Sequence, residues 1–215
     1  MSIDLMEIYN KLLKLYDIPE GWWPGDTKFE IMIGALLTQN TNWNNVKKSL
    51  DNIKSANLMN PEKLYIIPDE RLEILIRPSG FYKVKVQYLK NLLKWFKEYK
   101  FSFEKVNVKS KNELRSELLE IKGIGKETAD SILLYAFDKL SFVIDAYTKR
   151  IFSRIGLNIK NTYDEYKKYF EKNIPQDLII YKNFHGLIVE HSKKFCKKKP
   201  ICEDCKLKKL CNRNL

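Results

Sequence analysis

An all-α fold follows from three observations on the sequence. Apolar residues recur at three- and four-residue spacing along most of the chain. Good helix-capping residues stand at the start of several of those stretches. The short apolar run "FVID", 142–145, suits an extended link between helices better than a sheet strand. The first periodic stretch, 4–16, carries Asp4 and Glu7 and lacks the basic start and continuous apolar run of a signal peptide. "GWWPGD", 21–26, breaks the pattern, and Asp26 or Thr27 can cap the next helix, 28–39. Asn42 caps 43–53, Asn60 before Pro61 is another cap candidate, and 69–76 follows. A second break, "PSGFYKVK" at 78–85, leads into 84–98. Ser110 or Asn112 opens 112–120, and 126–137 restarts beyond Gly123 and Gly125. Stretches 146–155, 163–172 and 176–195 complete the helical pattern.

The chain has 215 residues and is 44% hydrophobic, enough for one compact unit or two modest domains with a packed core. No apolar run reaches the roughly 18 residues that span a bilayer. A cytoplasmic, nucleoid-associated protein without a membrane partner is expected. The net charge of +12 suits a polyanion such as nucleic acid, although lysine-rich composition alone produces the same excess. Its placement says more, because "KKFCKKKP" and "KLKKLCNR" crowd lysines around the cysteines. Those cysteines, Cys196, Cys202, Cys205 and Cys211, all lie near the C-terminal end with spacing C-x5-C-x2-C-x5-C, which suits a four-ligand metal site better than two disulfides.

"LLEIKGIGKETADSI" sets Gly123 and Gly125 between two helical stretches. Glycine takes positive φ without penalty and lets a phosphate approach the backbone closely. The restarted helix then points its unpaired N–H groups and positive dipole end outward, and Lys122 and Lys126 flank that spot. Such a turn can hold a DNA phosphate independently of sequence. An ordinary helix–helix turn with a glycine C-cap carries the same local pattern.

"LLEIKGIGKETADSILLYAF" followed by "VIDAYTKRIFSRIGL" resembles the helix-hairpin-helix DNA glycosylases of the endonuclease III superfamily. "FEIMIGALLTQNT", "GFYKVKVQYL" and the "C…KPxCxxC…C" tail extend the resemblance, in the family's order, over nearly the whole chain. The resemblance implies two helical domains with the active site in the cleft between them. Residues 28–137 would form the helical barrel domain with the hairpin, and 1–27 plus 138–215 the second domain with a cluster loop at 196–211.

The family's catalytic aspartate maps onto Asp145 in "VIDAYTKR", a residue that also suits the N-cap of helix 146–155. A carboxylate there would stabilise the positive charge that builds on the sugar and could position water. Family members that also cut the backbone carry a lysine where this chain has Glu127. A carboxylate cannot form an imine, and Lys126 points roughly 100° away on a helix. Base removal without lyase activity is therefore expected, although Glu127 is also an ordinary acid for a first helical turn.

By the same resemblance Gln39 would enter the stack vacated by a flipped base. Trp43 lies one turn further on if that helix continues. "WWP…LTQNT" and a glutamate after G-x-G-K are most similar to the 3-methyladenine subfamily, in which aromatic rings sandwich the base. This nominates Trp22, Trp23, Trp43 and Glu127 as base-pocket residues and alkylated purines as substrates, with cation–π attraction as the physical basis. Core packing is the other reading of the tryptophan pair. Phe81 or Tyr82 would be a minor-groove wedge, with Lys83 and Lys85 on phosphates, unless the aromatic is buried after its turn. The tail implies a [4Fe–4S] cluster, one residue shorter in its first loop than in endonuclease III, with zinc as the alternative. The expected partner is double-stranded DNA with a damaged base, bound by a monomer. Two other functions stay open: an endonuclease III-like enzyme with AP-lyase activity on oxidised pyrimidines or mismatched thymine or uracil, and a non-catalytic module for distorted DNA.

Overall fold

The computed structural model describes residues 3–19 and 21–213, and all regular structure among them is helical. The chain divides into two compact units, Pro24–Lys139 and Met1–Trp23 with Leu140–Leu215.

The continuous unit holds α2 (Lys28–Leu37), α3 (Trp43–Ser55), α4 (Pro61–Ile66), α5 (Asp69–Ile76), α6 (Tyr82–Glu98), α7 (Phe103–Asn107), α8 (Lys111–Glu120) and α9 (Lys126–Ala136), with a 3-10 turn at Arg77–Ser79. The strongly apolar α2 is buried along nearly its whole length and packs on α3, α6 and α9. Side-chain caps fix the starts: Thr27, Asn42, Asn60 and Ser102 each accept from a backbone N–H of the first turn, and Ser110 forms a reciprocal capping box with Glu113. Periodicity missed α4 and α7 because neither is long enough to repeat, so their caps are the sequence signal. Of the alternative caps, Thr27 and Ser110 serve rather than Asp26 and Asn112. Asp26 instead pairs with Lys54 at 2.7 Å, as does the buried Glu30 at 2.6 Å.

The discontinuous unit joins α1 (Leu5–Leu13) to α10 (Ala146–Ile155), α11 (Tyr163–Asn173) and α12 (Leu178–Lys194). Both α1 and α10 pack on α12. Phe142, Phe152, Phe170 and Phe184 form its aromatic core, with ring centroids 4.7 Å apart for Phe142–Phe170 and 4.8 Å for Phe152–Phe170. The buried stretch 141–145 is non-helical, and α11 pins it. Lys167 Nζ donates to Ser141 Oγ at 2.7 Å and to the Phe142 carbonyl at 3.0 Å, while the Phe142 N–H donates to Glu171 Oε1 at 2.9 Å. That pinning delivers Asp145 to the start of α10, which Gly156 closes at φ 115°. Among the described residues no helix is long and apolar enough to cross a membrane.

Candidate active site

The two hairpin glycines answer to different constraints. Gly123 sits at φ 103°, and a Cβ there would overlap the Tyr88 ring. Gly125 has φ −92°, ordinary for any residue, and no atom within 4 Å of the place a Cβ would occupy. It opens α9 without a side-chain cap. Gly123→Ala is therefore expected to destabilise the fold by about 2–4 kcal/mol through overpacking and backbone strain. Gly125→Ala should leave the melting temperature within about a degree while weakening DNA binding. Denaturation and DNA titration of the two variants check this split.

The hairpin is braced from three sides. Arg115 of α8 pairs with the fully buried Asp130 of α9, with Nε–Oδ1 at 2.8 Å and Nη2–Oδ2 at 3.1 Å. Asn91 of α6 donates to the Lys122 carbonyl at 3.0 Å. Gln39 Nε2 donates to the Gly123 carbonyl at 2.9 Å and to Thr128 Oγ1 at 3.0 Å. Lys122, Lys126 and Glu127 are exposed at its surface.

Gln39 and Trp43 do not share a helix. α2 stops at Leu37, Asn40 turns the chain at φ 54°, and Trp43 begins α3. The half-buried Trp43 lies against Gly34 of α2. The 78–85 segment separates its candidates as well. Phe81 stands 70% exposed in the left-handed region at φ 49°, at the start of α6, with Lys83 exposed just beyond. Tyr82 lies under the Arg77 guanidinium. Lys85 is not a phosphate contact: it is 2% exposed and donates to the Leu37 carbonyl at 2.8 Å and the Ser79 carbonyl at 2.7 Å. Placed inside the first turns of α6, its stem is covered and burial pulls its pKa down to about 8.

Asp145 caps α10. Its Oδ1 accepts from the Thr148 N–H at 2.7 Å and from Thr148 Oγ1 at 2.8 Å, while Oδ2 lies 3.6 Å from His185 Nε2. Burial alone would raise its pKa, but His185 and the Thr148 bonds outweigh that and hold the carboxyl ionised below its ordinary range. His185 is itself buried on α12 and meets Trp22 edge-on, with ring centroids 5.4 Å apart. Gly186 gives Trp22 its seat, since a Cβ there would run into the indole. Trp22 adopts φ 49° and stands perpendicular to Trp23, and both are half-buried. Trp22, Trp23 and Asp145 thus belong to one unit, and Trp43, Glu127, Gln39, Phe81 and the hairpin to the other.

The four cysteines are free thiols around one cavity, which Ile151, Ile155, His191 and Leu207 also line. His191 bridges Tyr16, with Nδ1 to the hydroxyl at 2.9 Å, and Cys205, with Nε2 to Sγ at 3.4 Å. Burial, reinforced by the neighbouring thiols, pushes Cys205 and Cys211 upward. A bound cation would offset that cost of ionisation. Among the described residues no three His, Cys, Asp or Glu side chains close around a single ion position.

Residues 33–176 match the HhH-GPD superfamily base excision DNA repair protein family. The chain belongs to that family. A Methanocaldococcus jannaschii protein, "Putative DNA repair glycosylase MJ1434", is 50% identical over 210 residues, 96% of this chain and 95% of its own. The H. pylori 3-methyladenine DNA glycosylase MagIII, solved bound to 1,N6-ethenoadenine, superposes with TM-score 0.81 at 36% identity over 89% of this chain and 98% of its own. Endonuclease III of Thermotoga maritima is 29% identical over 184 residues, covering 85% of this chain and 82% of its own. The protein is a DNA repair glycosylase that binds DNA.

Sequence reasoning about this HhH-GPD glycosylase missed His185 and the true place of Lys85. "FHGLIVEH" did hold a signal: a histidine next to a glycine inside an apolar run, where the glycine admits an aromatic ring.

Proposed function

We propose that this glycosylase removes alkylated purines such as 3-methyladenine by hydrolysis, with Asp145 as the catalytic carboxylate and without AP-lyase activity. The observation that carries the reading is Glu127 in the first turn of α9, where a strand-cutting relative needs an amine. The 36% identity to a protein solved as a 3-methyladenine glycosylase supports the substrate class. Breaking the N-glycosidic bond leaves positive charge on the sugar, which the Asp145 carboxylate stabilises while water adds. An alkylated purine is already cationic and leaves readily, so little leaving-group activation is needed. Trp22, Trp23 and Trp43 offer the aromatic faces that favour such a base, and Glu127 adds negative charge. The hairpin at Lys122, Gly123, Gly125 and Lys126 would hold the backbone, with Lys83 on a neighbouring phosphate. Gln39 would enter the gap left by the flipped nucleotide, with Phe81 as a minor-groove wedge opposite the lesion.

The reading is tested by incubating the enzyme with methylated duplex DNA. Free 3-methyladenine is expected, with nicks only after alkali and no borohydride-trapped adduct. Nicking without alkali, trapped by borohydride, would overturn the hydrolytic assignment.

The tail residues Cys196, Cys202, Cys205 and Cys211 fit a [4Fe–4S] cluster. The shared cavity that all four thiols line and the C-x5-C-x2-C-x5-C spacing support a cluster, with a single zinc ion as the alternative. When bound, the cluster would serve as a staple for the tail, with Lys197, Lys198 and Lys199 beside it facing solvent.

A further inference from the structure

Lys85 joins two pieces of the molecule that separate sequence motifs nominate for DNA. Its ammonium, 2% exposed, donates at 2.8 Å to the carbonyl of Leu37, the last residue of α2, and at 2.7 Å to the carbonyl of Ser79 in the 3-10 turn. Gln39 lies two residues past the first carbonyl and Phe81 two residues past the second. Gln39 in turn donates to the Gly123 carbonyl, and the next turns of α6 reach the same hairpin through Tyr88, packed on Gly123, and Asn91, bonded to Lys122. The Phe81 turn is held from within too: Ser79 Oγ donates to the Ile76 carbonyl at 2.7 Å and the Gly80 N–H to the Arg77 carbonyl at 3.1 Å. A buried ammonium on carbonyls alone is costly to keep, and it suits helix ends where carbonyls lack partners. A methionine of similar length would fill the same space without that cost.

We infer that Lys85 is a positioning residue that locks the Phe81 turn to the end of α2, so that wedge, Gln39 and hairpin meet DNA as one preformed surface. The inference rests on the DNA-binding roles proposed above for Phe81 and Gln39. An αL aromatic that is 70% exposed gains little by itself, because a loose turn would let it fold back onto the protein. Lys85 removes that freedom before DNA arrives.

The test uses a duplex with a tetrahydrofuran abasic analogue and 2-aminopurine opposite it, read at saturating protein. Wild-type enzyme is expected to raise the fluorescence as the wedge unstacks the orphan base. Phe81→Ala and Lys85→Met should each cut that rise at least about fivefold, each variant melting as a folded protein. The double variant should be no worse than either single one, because both remove the same insertion. A wild-type rise in Lys85→Met overturns the proposal, as do losses that multiply in the double variant or a Phe81→Ala protein with no loss. Lys85→Gln replaces Lys85→Met if the latter does not fold, and failure of both to fold assigns Lys85 to folding alone. The abasic probe carries no base, so an enzyme that excises a different lesion would leave this result unchanged.

Discussion

Asp145→Asn is expected to lower single-turnover base release by roughly 10²–10³-fold while the melting temperature and DNA affinity barely change. The separation follows from how the two carboxylate oxygens are used. Oδ1 takes both Thr148 bonds, and asparagine can present a carbonyl oxygen to the same donors. The cap therefore survives. What is lost is the negative charge that His185 and Thr148 hold in place against burial. Release of 3-methyladenine from methylated DNA, followed beside thermal denaturation, checks both halves. Full release by Asp145→Asn would remove this residue from the chemistry. The pH dependence carries a sign as well. The folded-state pKa of Asp145 lies below its ordinary 3.8. Its ionised form therefore adds stability that is present above that value and is lost as pH falls through the lower folded one. Base release should likewise persist through the range in which an exposed aspartate takes up its proton.

If the tail holds the proposed cluster, Cys205→Ser is expected to release it and lower the melting temperature by more than about 5 °C. The tail has few apolar contacts of its own beyond Leu207, and it leans on α10. Arg150 Nε donates to the Cys196 carbonyl at 2.8 Å, and Arg154 donates to the carbonyls of Lys197 at 2.7 Å and Lys198 at 3.0 Å. The Asn212 N–H returns to the Ile155 carbonyl at 3.2 Å. These bonds orient the loop, and in the proposed cluster a bound cation would offset the cost of ionising Cys205 and Cys211, whose thiols burial pushes upward. Iron, acid-labile sulfide and zinc content, measured with the melting curve, decide the point. Four irons and four sulfides are expected; one zinc would replace the cluster by the alternative, and a metal-free wild type melting with Cys205→Ser would remove the site.

Long helices were legible because a buried face repeats, and α10 falls on the predicted 146–155. Where the repeat is too short to register, as in α4 and α7, only Asn60 and Ser102 mark the element. The break after α2 was legible as well, because Asn42 marks the start of α3, and Asn40, which tolerates positive φ, turns the chain just before it. Asp145 could be picked out through the motif it shares with the family, and its role as N-cap of α10, which the structure shows, was legible from the residue type. Lys85 could not, since a lysine between exposed Val84 and buried Val86 shows nothing of the two carbonyls that await it. His185 and Trp22 meet across more than 160 residues of sequence, and no local pattern encodes that pairing.

The acid-bearing unit is written in two instalments, with the hairpin unit complete between them. Since domains generally fold as units from the N-terminal side during synthesis, the stretch from Pro24 to Lys139 can close while the ribosome is still at work. Helix α1 and the Trp22 corner must meanwhile wait for α12, which brings His191 to Tyr16 and Gly186 to Trp22. On the roles proposed for the hairpin and Asp145, a nascent chain would gain its hold on nucleic acid before its capacity to cut a base free.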